Sequence, residues 1–264
     1  MGTTGSTNAD LVAALRLPEA GRTWPHLAVL VAEHQADGRG RAGRTWSTPA
    51  GSALTASVVL RTAVALQRWS WLSLLGGVAV TRALRRRTGL DAALKWPNDV
   101  LVGAGDAEDE PGWGRHRKVA GVLVEVARPG DDAAAAVLGF GVNLHQEAGA
   151  LPVPWATSLA AAGVPRPDRD AALLLDAIGT EIVDLLDPWE AAAGDAERSG
   201  LLSAVTAACL TLGSQVRVTL PGAGEVTGRA VSIAADGALV VQPASGTAVR
   251  VTAGDVGHLR VGRV

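Results

Sequence analysis

The chain has a single cysteine, Cys209, among its 264 residues. One thiol can form neither an internal disulfide nor a cysteine cluster for zinc, so we expect a reducing compartment. A surplus of positive charge is also lacking, because 24 Lys and Arg residues are balanced by 26 Asp and Glu residues, a formal net charge of −2. This balance argues against a general attraction for nucleic acid, and any anion site must therefore be local.

Long hydrophobic segments are lacking as well. The most apolar run, residues 69–81, lies between Arg68 and Arg82 and is shorter than the roughly 20 residues that a membrane helix needs. The amino terminus does not show the basic and then apolar pattern of a secretory signal. Hydrophobic residues make up 48% and charged residues 19% of the chain, as in globular proteins. We expect a cytoplasmic protein without membrane association.

The hydrophobic pattern predicts an α+β domain, residues 1–208, followed by a small β-barrel domain, residues 209–264. Predicted strands of the first domain cover residues 27–32, 52–60, 118–126 and 134–144, the last two forming a hairpin with a turn at Pro129-Gly130-Asp131. Helices are predicted over residues 66–87, capped by Gly89, and over residues 168–186, capped by Asp168. Strands of the barrel are predicted over residues 216–220, 226–233, 238–241 and 249–251. Residues 102–117, rich in glycine and acidic side chains, are predicted to form a flexible surface insertion.

Glycine and arginine alternate in the segment Gly38-Arg39-Gly40-Arg41-Ala42-Gly43-Arg44. Its three glycines spell G-x-G-x-x-G, but a dinucleotide site also needs a helix that begins at the loop, and the following Thr-Trp-Ser-Thr-Pro is a poor helix start. Glycines allow close approach of the backbone, and guanidinium groups bind phosphate and carboxylate. We interpret the segment as an anion-binding loop that is mobile until a ligand arrives, with Trp46 able to cover a ligand face. The alternative is a solvated basic loop.

The segment Lys95-Trp96-Pro97-Asn98-Asp99 places an amide and a carboxylate after a Trp-Pro step. Asp99 is a candidate to hold magnesium or accept a proton, and Asn98 to bind phosphate; the alternative is an Asx turn beside a core tryptophan. Lys118 begins a predicted strand and would need an anionic partner if it pointed inward. The alternative for Lys118 is an exposed strand end. Gly121 leaves room against the same sheet.

Two further segments are candidate binding elements. In Gly139-Phe140-Gly141-Val142-Asn143 the two glycines lie on one face of a strand, where they would open a slot for a ligand ring or allow a bulge or tight packing. In Gly5-Ser6-Thr7-Asn8 the hydroxyls and the amide suit a polar head group, and one of them is also a candidate helix cap. The histidines are scattered and show no metal-ligand spacing.

Together and in this order, these segments resemble the biotin–protein ligase family over essentially the whole chain, including the C-terminal β domain. The resemblance implies a mixed-sheet catalytic domain and an SH3-like C-terminal barrel. It also implies a two-step reaction, in which biotin and ATP form biotinyl-5′-AMP and a lysine of a biotin carboxyl carrier domain then takes the biotinyl group. ATP, Mg²⁺ and biotin are the implied ligands.

The resemblance also assigns residues to roles. Lys118, Arg41 and Asp99 would be catalytic, and Asp99 would also be the magnesium ligand. The implied biotin-binding residues are Ser6, Thr7, Asn8, Gln35, Gly38, Arg39, Arg41, Lys118, Gly121 and Gly141. The implied ATP- and adenylate-binding residues are Arg39, Gly40, Arg41, Arg44, Trp46, Asn98, Lys118 and Asn143.

The sequence departs from the family pattern at three places. Only four residues precede Gly5, where the family usually has a strand and further chain. We therefore expect either a shortened edge strand or a true amino terminus upstream of Met1. Ala36-Asp37 stands where a threonine and a small residue are common, which puts one polar contact in doubt. The segment between Asp99 and Lys118 is longer than usual, and because it is acidic we expect it to loop away from an anion site. A helix-turn-helix module is lacking, so we expect no DNA role. The resemblance leaves a monomer or a weak homodimer as the expected oligomeric state.

Two other functions compete with this one. A lipoate–protein ligase shares the fold and the acyl-adenylate chemistry, although its glycine-rich motif differs. A nucleic-acid-binding module would use the basic loop and the barrel, and the absence of net positive charge argues against it.

Overall fold

The computed structural model describes residues 2–17, 19–105, 108–128, 133–222 and 224–258. The α-helices are α1 (Thr7–Ala14), α2 (Ala20–Thr23), α3 (Trp71–Thr88), α4 (Ala171–Ala191) and α5 (Leu201–Ala208). The first-domain strands are β1 (Thr3–Thr4), β2 (Val29–Ala32), β3 (His34–Gln35), β4 (Ala53–Leu60), β5 (Ala92–Lys95), β6 (Asp99–Gly103), β7 (His116–Ala127) and β8 (Ala135–Asn143). The C-terminal strands are β9 (Gln215–Thr219), β10 (Glu225–Ile233), β11 (Leu239–Gln242), β12 (Val249–Val251) and β13 (Asp255–His258).

A six-stranded sheet forms the centre of the first domain, in the order β2-β4-β8-β7-β6-β5, with every pair of neighbours antiparallel. Parallel pairing joins β1 to β3. Both faces of the sheet are covered: Val58 packs into the main core with α3, and the next residue, Val59, packs into a second cluster with Leu11 of α1. Because neighbouring residues of a strand point to opposite faces, β4 is buried along its whole length. The predicted α+β class is confirmed.

Helix α3 packs closely on the sheet through its Gly76-Gly77 pair. A Cβ on Gly77 would lie 2.5 Å from Leu94 Cδ1, and one on Gly76 would lie 2.8 Å from Leu138 Cδ1. The helix ends at Gly89, which adopts φ 69° as the predicted cap requires. It begins at Trp71 rather than at residue 66, because residues 66–68 form a separate 3₁₀ turn.

Two other predicted elements differ from those observed. The cap of α4 is Asp170, which accepts a hydrogen bond of 2.9 Å from Leu173 N, whereas the predicted cap Asp168 lies in a preceding 3₁₀ turn. The strand predicted as buried over residues 27–32 is the edge strand β2, in which Val29 is 43% exposed. The β7–β8 hairpin is present, and its predicted turn residues lie outside the described part of the chain.

The C-terminal domain is an SH3-like antiparallel sheet in the order β12-β11-β10-β9-β13. Four of its strands were predicted, and β13 was missed. Tryptophan N–H groups of the first domain join the two parts: Trp71 Nε1 donates to Ala235 O at 2.9 Å and Trp96 Nε1 donates to Gly237 O at 3.0 Å. Within the described residues, no helix is both long enough and apolar enough to cross a bilayer.

Candidate active site

A cavity of about 510 Å³ lies on the α1 face of the main sheet, a size typical of small-molecule sites. Every site residue predicted from the sequence lines it except Gly38. Gly38 lies behind the wall, where its carbonyl accepts a hydrogen bond of 2.8 Å from Trp46 N. A Cβ there would lie 2.9 Å from Gln35 Nε2. Gly38 therefore positions two lining residues and does not itself face the cavity.

A cluster of buried hydroxyl and amide groups closes one end of the cavity. Gln35 Oε1 accepts hydrogen bonds from Thr7 N at 2.8 Å and from Thr7 Oγ1 at 3.0 Å. Ser57 Oγ lies 2.7 Å from Thr7 Oγ1 and 2.6 Å from Asn8 Oδ1. Ser6 caps α1, since its Oγ accepts from Ala9 N at 3.4 Å. Such a cluster, pre-oriented by its own hydrogen bonds, suits a ligand group with both donors and acceptors.

Glycines form a floor next to this cluster. Gly121 of β7 and Gly141 of β8 are direct cross-strand partners. The ring of Trp46 lies over them: a Cβ on Gly141 would come within 2.6 Å of Trp46 Cε2, and one on Gly121 would lie 3.7 Å from Cζ3. At the neighbouring Gly139, the Asn8 side chain occupies the space that a Cβ would take. The slot predicted at Gly139 and Gly141 is therefore not open in this structure: the Asn8 side chain lies against Gly139, and the Trp46 ring lies on Gly141 and beside Gly121.

An ion pair occupies the centre of the cavity. Lys118 Nζ lies 2.6 Å from Asp99 Oδ1, and the two side chains are 22% and 15% exposed. Strand register explains the pairing, since Asp99 of β6 lies opposite Gly121 of β7, whose missing side chain leaves room for Lys118 Nζ. Lys118 therefore points inward with the anionic partner that burial requires.

The glycine–arginine loop brings Arg41 near the ion pair, in the wall of the same cavity. Gly40 N donates to Arg44 O at 2.7 Å, and Ala42 adopts φ 53° within the turn. Burial lowers the pKa of Arg41, while the nearby carboxylates of Asp99 and Asp255 oppose that shift. Arg44 forms an ion pair with Asp255 of β13, which ties the loop to the C-terminal domain.

Two asparagines predicted to bind ATP are already engaged with protein groups. Asn98 Nδ2 donates to Val122 O at 2.9 Å. Asn143 Nδ2 donates to Thr157 O at 2.8 Å, and its Oδ1 accepts from Gln146 Nε2 at 3.2 Å. Both residues line the cavity, and these contacts fix the backbone segments beside it.

The prediction that the insertion loops away from the site is wrong. Glu110 and Gly114 exchange backbone hydrogen bonds of 2.9 Å each, so that the segment folds into a tight turn. This turn carries Trp113 into the cavity, where its ring is parallel to that of Trp155 within 5°. The expectation depended on the acidic side chains of the segment, and it took no account of Trp113 among them.

Several lining residues were missed by the sequence interpretation. They are Lys95, Trp113, Trp155 and Asp255. Lys95 is only 4% exposed, and burial lowers its pKa to about 8. Its position immediately before the Trp-Pro step, at the end of an apolar strand, was the available signal, because a lysine there is rarely buried without a partner. The other three had no local signal, since the folding of the insertion brings Trp113 to the cavity and contacts between distant segments bring Trp155 and Asp255.

The described residues contain no group of three or more His, Cys, Asp or Glu side chains suited to a metal ion. A resident metal centre of that type is therefore not built into this part of the chain. The Asp99 carboxylate still fits magnesium carried by a nucleotide, because Mg²⁺ is usually held by one or two carboxylates together with substrate phosphates and water.

Comparisons with known proteins agree in both domains. Residues 7–143 match the biotin/lipoate A/B protein ligase family, and residues 211–259 match the biotin protein ligase C-terminal domain. The chain is 40% identical over 263 residues to the biotin–[acetyl-CoA-carboxylase] ligase of Mycobacterium tuberculosis, covering 97% of this chain and 87% of that protein. It is 37% identical over 145 residues to the ligase of the same name from Paracoccus denitrificans, covering 53% and 52%.

A solved structure has the same fold. The biotin protein ligase from Aquifex aeolicus in complex with biotin and ATP superposes with a TM-score of 0.71 at 24% identity, covering 98% of this chain and 96% of that one.

Proposed function

The chain belongs to the biotin/lipoate A/B protein ligase family, and we propose that it is an ATP-dependent biotin ligase acting on a biotin carboxyl carrier domain. The observation that carries the proposal is the Lys118–Asp99 pair, 2.6 Å apart between the hydroxyl–amide cluster and the arginine loop. A biotin carboxylate that extends from the hydroxyl–amide cluster and an ATP phosphate held by the arginine loop would meet at this point. The Lys118 ammonium lies there and can bind both anions.

In the first step an oxygen of the biotin carboxylate attacks the α-phosphorus of ATP. A new P–O bond forms, the bond to the β-phosphate bridging oxygen breaks, and pyrophosphate leaves. Both reactants are anionic, and negative charge grows on the phosphate during the attack. Fixed cations next to that charge are the main means of lowering the barrier. We assign this role to Lys118 and Arg41, both of which line the cavity.

The polar end of the cavity would hold the ureido ring of biotin. That ring offers two N–H donors and a carbonyl acceptor, which matches the mixture of hydroxyl and amide groups of Ser6, Thr7, Asn8 and Gln35. The Trp46 ring lies on the glycine floor, and it would move aside so that the apolar part of the molecule packs against Gly121 and Gly141.

In the second step the amine of a carrier lysine attacks the carbonyl carbon of biotinyl-5′-AMP. The new C–N bond forms, the bond to the AMP oxygen breaks, and the amine loses a proton. Asp99 is the carboxylate nearest to Lys118 in the cavity, and we propose that it accepts this proton once ligands separate the pair. The closed arginine loop would keep water from the anhydride until the carrier arrives.

Magnesium, when bound with ATP, would neutralise phosphate charge, and Asp99 would be its protein ligand.

We place the domain boundary between residues 208 and 209. The first domain would carry the reacting groups, and the second would hold the arginine loop in position through the ion pair of Asp255 with Arg44.

Lipoate is the competing acid substrate. Pyrophosphate exchange measured with each acid in turn shows whether the enzyme activates biotin or lipoate. The expected result is rapid exchange of labelled pyrophosphate into ATP with biotin present and only background exchange with lipoate. Exchange supported by lipoate and not by biotin would overturn the proposal. Tight, salt-sensitive binding of DNA or RNA with no exchange for either acid would favour a nucleic-acid-binding module.

A further inference from the structure

Two hydroxyl groups are shared among three short contacts at the polar end of the cavity. Ser57 Oγ lies 2.6 Å from Asn8 Oδ1 and 2.7 Å from Thr7 Oγ1. Thr7 Oγ1 also lies 3.0 Å from Gln35 Oε1. A hydroxyl carries one hydrogen, whereas an amide oxygen only accepts. The hydroxyls of Ser57 and Thr7 can therefore complete two of these three contacts at any one time.

Backbone groups fix the orientation of the two amides. Asn8 Nδ2 donates to Leu123 O at 3.2 Å, which turns Asn8 Oδ1 toward Ser57. Thr7 N donates to Gln35 Oε1 at 2.8 Å, which turns that amide oxygen toward Thr7. A reversed Asn8 amide would set its oxygen against a carbonyl, and a reversed Gln35 amide would set its NH₂ group against an N–H. Neither amide can therefore supply the third hydrogen.

The Thr7 hydrogen consequently has two alternative acceptors. Ser57 donates to Asn8 Oδ1, because this contact is the shortest and its acceptor carries no hydrogen. Thr7 Oγ1 then donates either to Gln35 Oε1 or to Ser57 Oγ. In the first case Thr7 N and Thr7 Oγ1 fill both lone pairs of Gln35 Oε1. In the second case one of those lone pairs stays free, on a residue that lines the cavity.

Resting on the proposed binding of biotin, we propose that Ser57 positions the Thr7 hydrogen and thereby makes the cavity selective for a ligand with a ring N–H. Ser57 is 0% exposed, so it acts through Thr7 and does not touch the ligand. When a ring N–H donates to Gln35 Oε1, the Thr7 hydroxyl rotates about its C–O bond and donates to Ser57. Every hydrogen then has an acceptor, and no heavy atom moves. A ligand with an oxygen at this point would face a lone pair of Gln35 and be rejected.

The test is calorimetric titration of biotin and of its two cyclic carbamate analogues, each with one ring N–H replaced by oxygen. The wild type is expected to bind one of the analogues about tenfold more weakly than biotin. In Ser57→Ala the Thr7 hydroxyl can donate only to Gln35, so biotin loses one hydrogen bond and should bind about fivefold more weakly. The discriminated analogue has no such bond to lose, and the preference for biotin over it should fall to about twofold. In steady-state assays kcat and the KM for ATP should stay within about twofold of the wild type.

Thr81→Val is the matched control, because it removes an equally buried hydroxyl, in α3, whose acceptor is Gly77 O at 2.8 Å. It should keep the wild-type preference. Ser57→Cys retains side-chain volume with a sulfur that accepts hydrogen bonds weakly, and its preference should also fall.

An unchanged preference in both Ser57 variants would overturn the inference, as would equal weakening of biotin and both analogues, which indicates a purely structural role. These results leave the proposed function standing, since the wild type still binds biotin. A folded wild type that binds no biotin would contradict the proposed function and this inference with it.

Discussion

Gly121 and Gly141 face each other across β7 and β8, and the Trp46 indole lies over both. A side chain at Gly141 would press on the indole. The two glycines therefore determine how closely the ring, and the apolar part of biotin that we place against the same floor, can approach the sheet.

Gly141→Ala is expected to raise the KM for biotin. Its Cβ would lie 2.6 Å from Trp46 Cε2, and overpacking of this kind costs about 1–3 kcal/mol, or ~5–150-fold in affinity. Steady-state kinetics with biotin varied at saturating ATP measure the effect. Gly149→Ala is the control, because nothing lies within 4 Å of a Cβ at that position; an equal rise in both variants would argue against the slot.

Lys118→Ala is expected to lower kcat/KM for biotin-dependent pyrophosphate exchange by about 10²-fold or more, because it removes a cation placed at the growing charge. Exchange assays on the purified variant measure this loss, and circular dichroism establishes that the variant is folded. Lys118→Arg should recover only part of the activity, since a planar guanidinium replaces a point charge. Near-normal exchange in the alanine variant would remove Lys118 from the mechanism.

Arg41→Ala is expected to release biotinyl-5′-AMP into solution, because the loop would lose a cation held near Asp99 and Asp255. The released anhydride should label lysines of an added bystander protein, which a blot for biotin detects. The chain itself has two lysines, Lys95 and Lys118, so self-labelling is a small background. Arg22→Ala changes an exposed arginine outside the cavity and should leave labelling low; a tight intermediate in the Arg41 variant would contradict the lid role.

His258 is expected to make stability depend on pH. Burial, with smaller contributions from Lys95 and His116, lowers its pKa from 6.5 to about 4. Between these values the unfolded chain binds a proton that the folded chain does not, so the free energy of unfolding should be full above pH 6.5 and fall as the pH drops toward 4. Urea denaturation across this range should give a smaller fall for His258→Gln than for the wild type. Identical pH profiles would show that His258 does not titrate in this way.

The sequence predicted the elements whose signals are local. Alternation in residues 52–60 identified β4, and Gly89 identified the end of α3, because each depends on side chains within one strand or one turn. The cap of α4 was misassigned by two residues because Asp168 and Asp170 have the same chemistry, and only the preceding 3₁₀ turn distinguishes them.

The candidate site was predictable where glycine, arginine and lysine occur in dense segments, and not where it depends on long-range contacts. Asp255 reaches the cavity because the C-terminal sheet docks beside the loop. Trp113 was hidden in a stretch whose composition is typical of a surface loop. The pairing of Lys118 with Asp99 depends on the register of β6 and β7, which no local pattern specifies.

The most direct test of the central claim is competitive labelling of a biotin carboxyl carrier domain. The purified chain is mixed with ATP, magnesium, the carrier domain and equal concentrations of biotin and lipoate, and intact-mass spectrometry identifies the group on the acceptor lysine. A single biotinyl group is expected on that lysine, absent without ATP and absent when the lysine is replaced by arginine. A lipoyl group on the carrier, or no modification by a folded enzyme that binds ATP, would contradict it.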